Sequence, residues 1–146
     1  MYQGKAYLPV IVQSFFLLFI QNVNAMSTVL VVDDSMTDMQ ILTRCLQQGG
    51  LDVLTANSGE EALTKLNSQK PDIIILDVVL PGCSGFEVCR EIKDAAATSN
   101  IPIVICSTKG GEMDKFWGMK QGADAYLAKP IDQEEFVRTV KQLIKR

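Results

Sequence analysis

The chain is predicted to fold as an α/β domain: a five-stranded parallel sheet, strand order 2-1-3-4-5, with helices on both faces. Three observations predict it. Short apolar runs alternate five times with stretches of helical periodicity, the pattern of repeated βα units. The run Ile73 to Leu76 is unbroken and rich in β-branched residues, as in a strand covered on both faces. Four of the runs stop at polar groups, namely Asp33-Asp34, Asp77, Ser107-Thr108 and Lys129-Pro130. Right-handed crossovers leave few topologies for five such units, and 2-1-3-4-5 is the commonest.

The elements follow in order. Thr28 to Val32 is strand one, ending in Asp33-Asp34. Ser35 to Gln48 is helical, with Met39, Leu42 and Leu46 on one face, and Gly49-Gly50 stops it. Leu51 to Thr55 is a short second strand. Ser58 caps a helix to about Ser68, with Glu61 completing a capping box. Lys70-Pro71 breaks the chain before the central strand, which runs into Asp77 and the turn Pro81 to Gly85. Ser84 caps a third helix through about Ala97, turning Val88, Cys89 and Ile92 inward. Strand four spans Ile101 to Cys106, and a fourth helix, about Gly111 to Gln121, ends at Gly122. Phe116 and Trp117 are neighbours on that helix, so both cannot point squarely inward and one is expected on the surface. Ala123 to Ala128 is strand five, and Asp132 caps a last helix with Phe136, Val140 and Leu143 at i, i+4, i+7.

Composition bounds the function. The 146 residues suit one domain, and there is no histidine, which removes His triads, His metal sites and a His phosphocarrier. Net charge is −3 with no basic patch, so no nucleic-acid partner is expected. Cys45, Cys83, Cys89 and Cys106 have no metal or disulfide spacing and are expected as reduced, mostly buried thiols. The N-terminus stands apart, because Ala6 to Ile20 is mostly apolar. A signal peptide is disfavoured by the thin positive region and the poor cleavage site at Asn24-Ala25. A membrane anchor is short of the ~20 residues of a span and is interrupted by Pro9, Gln13 and Ser14. The favoured reading is an upstream extension over 1–25, with Met26 the natural start and the folded domain over 26–146. Membrane contact is expected only if residues 6–20 act as an anchor.

The strand order sets the chemistry. Its switch point lies between strands one and three, where Asp33, Asp34 and Asp77 would meet beyond the carboxyl ends. Three carboxylates so close repel, and a cation relieves them; Mg²⁺ suits a few carboxylates, carbonyls and waters. Taken alone, Asp33-Asp34 reads as a helix cap. Ser107 and Lys129, at the tips of strands four and five, change that balance by adding a hydroxyl and an ammonium to one rim. Such a rim suits a dianion held on Asp77, because Asp carboxylates do accept phosphoryl groups.

These residues resemble the receiver domains of two-component response regulators. The likeness rests on Asp33-Asp34, Asp77, Pro81, Gly85, Ser107 and Lys129-Pro130 in order, and covers about Thr28 to Arg146. It implies a flavodoxin-like fold and phosphorelay signalling. Asp77 would take a phosphoryl group from a phosphohistidine of a sensor histidine kinase, one like the chemotaxis kinases. Asp34 and Asp77 would ligate Mg²⁺ with the Val79 backbone carbonyl, Asp33 acting mainly through water. Ser107 and Lys129 would bind the phosphoryl oxygens, with the Lys129-Pro130 bond cis. Tyr126 would be the aromatic switch, turning inward as Ser107 moves. Output would pass through the fourth helix, fifth strand and fifth helix to a downstream protein target. The chain looks like a single-domain, cytoplasmic regulator similar to those of chemotaxis and type IV pilus or twitching motility. Beyond phosphoryl acceptance and slow self-dephosphorylation, no enzymatic activity is implied. Two alternatives come from other classes. An aspartate-nucleophile phosphohydrolase would need a second Asp where Val79 stands. A flavin-binding electron carrier of the same topology would need a phosphate loop where Asp33-Asp34 would repel the phosphate.

Overall fold

The computed structural model describes residues 9–15 and 26–145. Its elements are β1 (Thr28–Val32), α1 (Met36–Gln48), β2 (Asp52–Ala56), α2 (Gly59–Ser68), β3 (Ile73–Leu76), α3 (Gly85–Asp94), β4 (Ile103–Ser107), α4 (Glu112–Lys120), β5 (Ala125–Ala128) and α5 (Gln133–Ile144). The five strands form one parallel sheet in the order β2-β1-β3-β4-β5, as the sequence predicts.

Four helices begin on a capping side chain, and α4 begins at Gly111 without one. Ser35, Ser58, Ser84 and Asp132 each accept a backbone N–H of the first turn, satisfying donors that a helix end leaves unpaired. The capping box at Ser58 differs from the expected form: Glu61 Oε2 accepts the N–H of Asn57, one residue before the cap, at 2.8 Å. α1 ends in a Schellman motif, in which Gly50 N–H donates to Gln47 O and Leu51 N–H to Leu46 O, both at 3.0 Å. Gly50 sits at φ +82°, so the second glycine of the pair is the one the turn requires. That motif takes Leu51 into the turn and moves the start of β2 to Asp52.

Three other boundaries fall inside the predicted ones. α3 stops at Asp94, not Ala97, because Ala95 is extended and Thr98 Oγ1 donates to the freed Ile92 carbonyl at 2.7 Å. β4 begins at Ile103, not Ile101, since Pro102 brings no N–H to the ladder. β5 begins at Ala125, not Ala123: the Ala123 N–H closes α4 on Gly118 O, and the Asp124 side chain accepts the Ile103 N–H at 2.8 Å.

Alternation along the strands builds a core on each side of the sheet. Leu30, Val32, Ile74, Leu76, Ile103 and Ile105 face Ala62, Leu66, Val88, Cys89 and Ile92 of α2 and α3. Val29, Val31, Ile73, Ile75, Val104 and Cys106 face Met39, Leu42, Leu46, Phe136 and Val140 of α1 and α5. β3 is therefore apolar throughout because both of its faces are buried. All four cysteines are free thiols, with Cys83 alone partly exposed.

α4 departs from the expected packing. Phe116 and Trp117 are both exposed, at 55% and 53%, and Gly118 is the residue that faces inward. At the N-terminus, residues 10–15 are helical, with Val10, Ile11 and Phe15 exposed. The rest of the extension predicted over 1–25 lies outside the described residues, as does Arg146. Among the described residues no helix is long and apolar enough to cross a membrane.

Candidate functional site

Register brings the strand tips level. Val32 pairs with Leu76, so Asp33 and Asp77 leave the sheet side by side. The backbone fixes both: Asp33 N–H donates to Ala56 O at 3.1 Å and Asp77 N–H to Val32 O at 3.0 Å. Oxygens of Asp33, Asp34 and Asp77 lie within 4.8 Å of one another. Asp33 and Asp77 are buried and Asp34 is exposed, so the trio has one wet side. Burial pushes the Asp33 carboxyl above its ordinary range, outweighing the downward pull of Lys129 and of the Ser35 N–H.

Lys129 supplies the cation. Its N–H donates to Ser107 O at 2.9 Å, tying the ends of β4 and β5 together, and the Lys129-Pro130 bond is cis as expected. Lys129 Nζ donates to Asp33 Oδ2 at 2.6 Å, Asp38 Oδ2 at 2.9 Å and Asp77 Oδ2 at 3.1 Å. Burial alone would lower its pKa; the bonds to Asp33 and Asp38 and the charge of Asp77 hold it well above the ordinary value instead. Three carboxylates on one ammonium, with Asp34 beside two of them, leave a surplus of negative charge. The donor set fits a hard divalent cation, being all oxygen with an open side for water.

Ser107 is fully buried, and its Oγ accepts the Lys109 N–H at 3.2 Å. The Lys109 carbonyl in turn accepts the Tyr126 hydroxyl. One residue therefore bridges the two predicted switch positions. Burial, then the nearby Asp114 and Asp77, push the Tyr126 phenol up to about 12, so it stays a donor at neutral pH. Below Asp77, Val79 N–H donates to Asp77 Oδ1 at 3.3 Å, and the half-exposed Val79 side chain stands beside the site. Gly85 N–H donates to Val78 O at 2.8 Å, and a Cβ at Gly85 would fall 2.0 Å from the Asp77 carbonyl oxygen. Only glycine lets α3 start this close to the backbone of Asp77.

The rim thus gathers Asp33, Asp34, Asp77 and Lys129; Ser107 is tied to it by the Lys129 N–H, and Tyr126 meets Ser107 through Lys109. Sequence reasoning missed Asp38. Its signal was present: Ser35 and Asp38 have cap spacing immediately after the acidic pair, and one helical turn returns Asp38 to the same rim. A groove of about 890 Å³ between α1 and α5, lined by Cys45, Val137, Arg138 and Lys141, does not include these carboxylates.

A family model described as the response regulator receiver domain matches residues 29–141. Protein PilH of Pseudomonas aeruginosa is 41% identical over 119 residues, 82% of this chain and 98% of that protein. The alkaline phosphatase synthesis transcriptional regulatory protein PhoP of Bacillus subtilis is 41% identical over 118 residues, 81% of this chain but 48% of PhoP. Among solved structures, the chemotaxis response regulator CheY4 of Vibrio cholerae superposes with a TM-score of 0.76 at 34% identity, over 82% of this chain and 99% of that one.

Proposed function

The chain belongs to the response regulator receiver domain family and works in phosphorelay signalling, and from that premise we propose that Asp77 is its phosphoryl acceptor. The carrying observation is that one ammonium, Lys129, sits on Asp77 while two further carboxylates, Asp33 and Asp34, stand close enough to Asp77 to share a metal ion with it. In the transfer, an Asp77 oxygen attacks the phosphorus of a kinase phosphohistidine. The P–N bond breaks, imidazole leaves, and an acyl phosphate forms. Asp34, Asp77 and the Val79 carbonyl would hold Mg²⁺, with Asp33 acting through water; bound there, it neutralises charge on the transferring group. Lys129 turns its donor from Asp77 to a phosphoryl oxygen, and the Ser107 hydroxyl donates to another.

Ser107 then leaves its bond with the Lys109 N–H, the Lys109 carbonyl shifts, and the Tyr126 hydroxyl is released to turn inward. The switch biases a pre-existing conformer of the α4–β5–α5 face toward a downstream protein partner. Exposed Phe116 and Trp117 give that partner an aromatic grip. The likeness to PilH and CheY4 supports a motility pathway fed by a chemotaxis-type histidine kinase, and four free thiols suit a cytoplasmic setting. The protein is a signalling switch whose self-dephosphorylation is slow, not an enzyme of turnover. Neither alternative gains support: Val79 cannot transfer protons as a hydrolase acid would, and Asp33-Asp34 would repel a flavin phosphate.

Incubation with acetyl phosphate and Mg²⁺ tests the proposal. One acid-stable, hydroxylamine-labile phosphoryl group per chain is expected, and none in Asp77→Asn, whose circular dichroism should match the wild type. Label persisting on the variant would place the acceptor elsewhere.

A further inference from the structure

An ammonium has three N–H donors, and all three of Lys129 are spent: on Asp33, Asp38 and Asp77. Two of these partners belong to the trio that can share a cation, whereas Asp38 does not. Asp38 is the third residue of α1's first turn, where a capping box would send its carboxylate back to the N–H of Ser35. That N–H already donates to Asp33 Oδ1 at 2.9 Å. The Asp38 carboxylate is left to cross to Lys129, so the local cap geometry builds the contact.

The three partners differ in what it costs to leave them. The side chains of Asp33 and Asp77 are 1% and 9% exposed, and stripping either of its counter-charge strands a buried anion. Asp38 is 34% exposed, and water replaces Lys129 there at little cost. The donor on Asp77 passes to the phosphoryl group that Asp77 would carry, and of the other two partners Asp38 is the one Lys129 can release.

Resting on the receiver reading of the site, we propose that Asp38 is a positioning residue that clamps Lys129 in the unphosphorylated protein and competes with the incoming phosphoryl group for its ammonium. A second donor for the phosphoryl oxygens becomes free only when Asp38 lets go. Asp38 also adds negative charge beside the trio, which favours a cation and opposes an anion. Its removal therefore shifts the two ligands in opposite directions, which a purely structural cap residue would not do.

The test is calorimetric titration of the full chain, wild type and Asp38→Asn, first with Mg²⁺ and then with beryllofluoride at saturating Mg²⁺. For Asp38→Asn, Mg²⁺ should bind roughly two-fold more weakly, the size of a screened single-charge effect. Beryllofluoride should bind roughly three-fold more tightly, the scale of a partly exposed ion pair removed from competition. Asp38→Glu, which keeps the charge, should return both constants toward wild type. Unchanged affinities with a lowered melting temperature would make Asp38 only a helix residue and overturn the clamp. Weaker binding of both ligands would overturn it too, since Asp38 would then aim the ammonium, not withhold it. Should wild type itself fail to bind beryllofluoride, the receiver reading of the site falls and the inference falls with it; binding by wild type with no response in the variant sinks the inference alone.

Discussion

At the scale of the residue, the site depends on side chains that are absent as much as on those present. Gly85 is where α3 meets the end of β3, and a methyl there would overlap the Asp77 carbonyl at 2.0 Å. Gly85→Ala must therefore displace backbone, and it should cost about 2 kcal/mol or more by overpacking. Urea denaturation should show the loss, and phosphoryl uptake should fall with it; wild-type stability would mean the turn relaxes freely. Lys129 works through charge. Lys129→Ala leaves Asp33 buried beside three other carboxylates with no cation among the side chains that touch it. Its fold should become strongly dependent on added Mg²⁺, seen as a larger Mg²⁺-induced rise in melting temperature than in wild type. An equal rise in both proteins would show that Lys129 carries none of the compensation.

At the scale of the element, α4 is the least conventional helix. Its inward residue is Gly118, whose missing side chain receives the Tyr126 ring: an added Cβ would lie 2.7 Å from that ring and 3.0 Å from Ile105. Gly118→Ala sets a helix-propensity gain of about 1 kcal/mol against an overpacking cost of about 1–3 kcal/mol. Net destabilisation is expected, with shifted Tyr126 ring resonances in NMR spectra; a stabilised protein with unmoved resonances would show that α4 slides to make room. Phe116 and Trp117 face water on the same helix, so Trp117→Ala should change stability by no more than about 0.5 kcal/mol while weakening capture of the phosphorylated form's partner. At the opposite end of the sheet, Lys93 Nζ donates to Ile101 O at 2.8 Å and to Asp124 Oδ2 at 3.0 Å. This contact fastens α3 to the entrances of β4 and β5, at the end of the sheet away from Asp77.

At the scale of the whole molecule, stability responds to alkaline pH through buried thiols. Burial pushes Cys89 up to about 11 and Cys106 up to about 12, from an ordinary 9.0. A folded pKa above the unfolded one gives a contribution that is complete below pH 9 and disappears as pH rises toward 11–12. The urea midpoint should therefore fall on going from pH 8 to pH 10.5, and Cys106→Val should flatten part of that fall. If the variant and wild type fall in parallel, the buried thiol is not responsible. At neutral pH a thiol reagent should label Cys83 first, with Cys45, Cys89 and Cys106 reacting only on unfolding.

The sequence by itself determined the architecture, because strand and helix are written in periods of 2 and 3.6 and in caps such as Ser35, Ser58, Ser84 and Asp132. It also determined the rim, because Asp33, Asp34, Asp77, Ser107 and Lys129 all stand at the ends of apolar runs that parallel strands must align. Boundaries shifted where a competing bond lay beyond local reach: Asp124 took the Ile103 N–H, and Thr98 took the Ile92 carbonyl. Only the tertiary structure decided who shares Lys129. Asp38 reads locally as a cap residue, and its second partner lies 91 positions away. Likewise, no pattern within α4 says that Gly118 faces the sheet while Phe116 and Trp117 face water, since that choice is made by the Tyr126 ring on a neighbouring strand. Local periodicity fixes what a segment becomes; which distant side chain fills a gap or claims a charge is settled by packing.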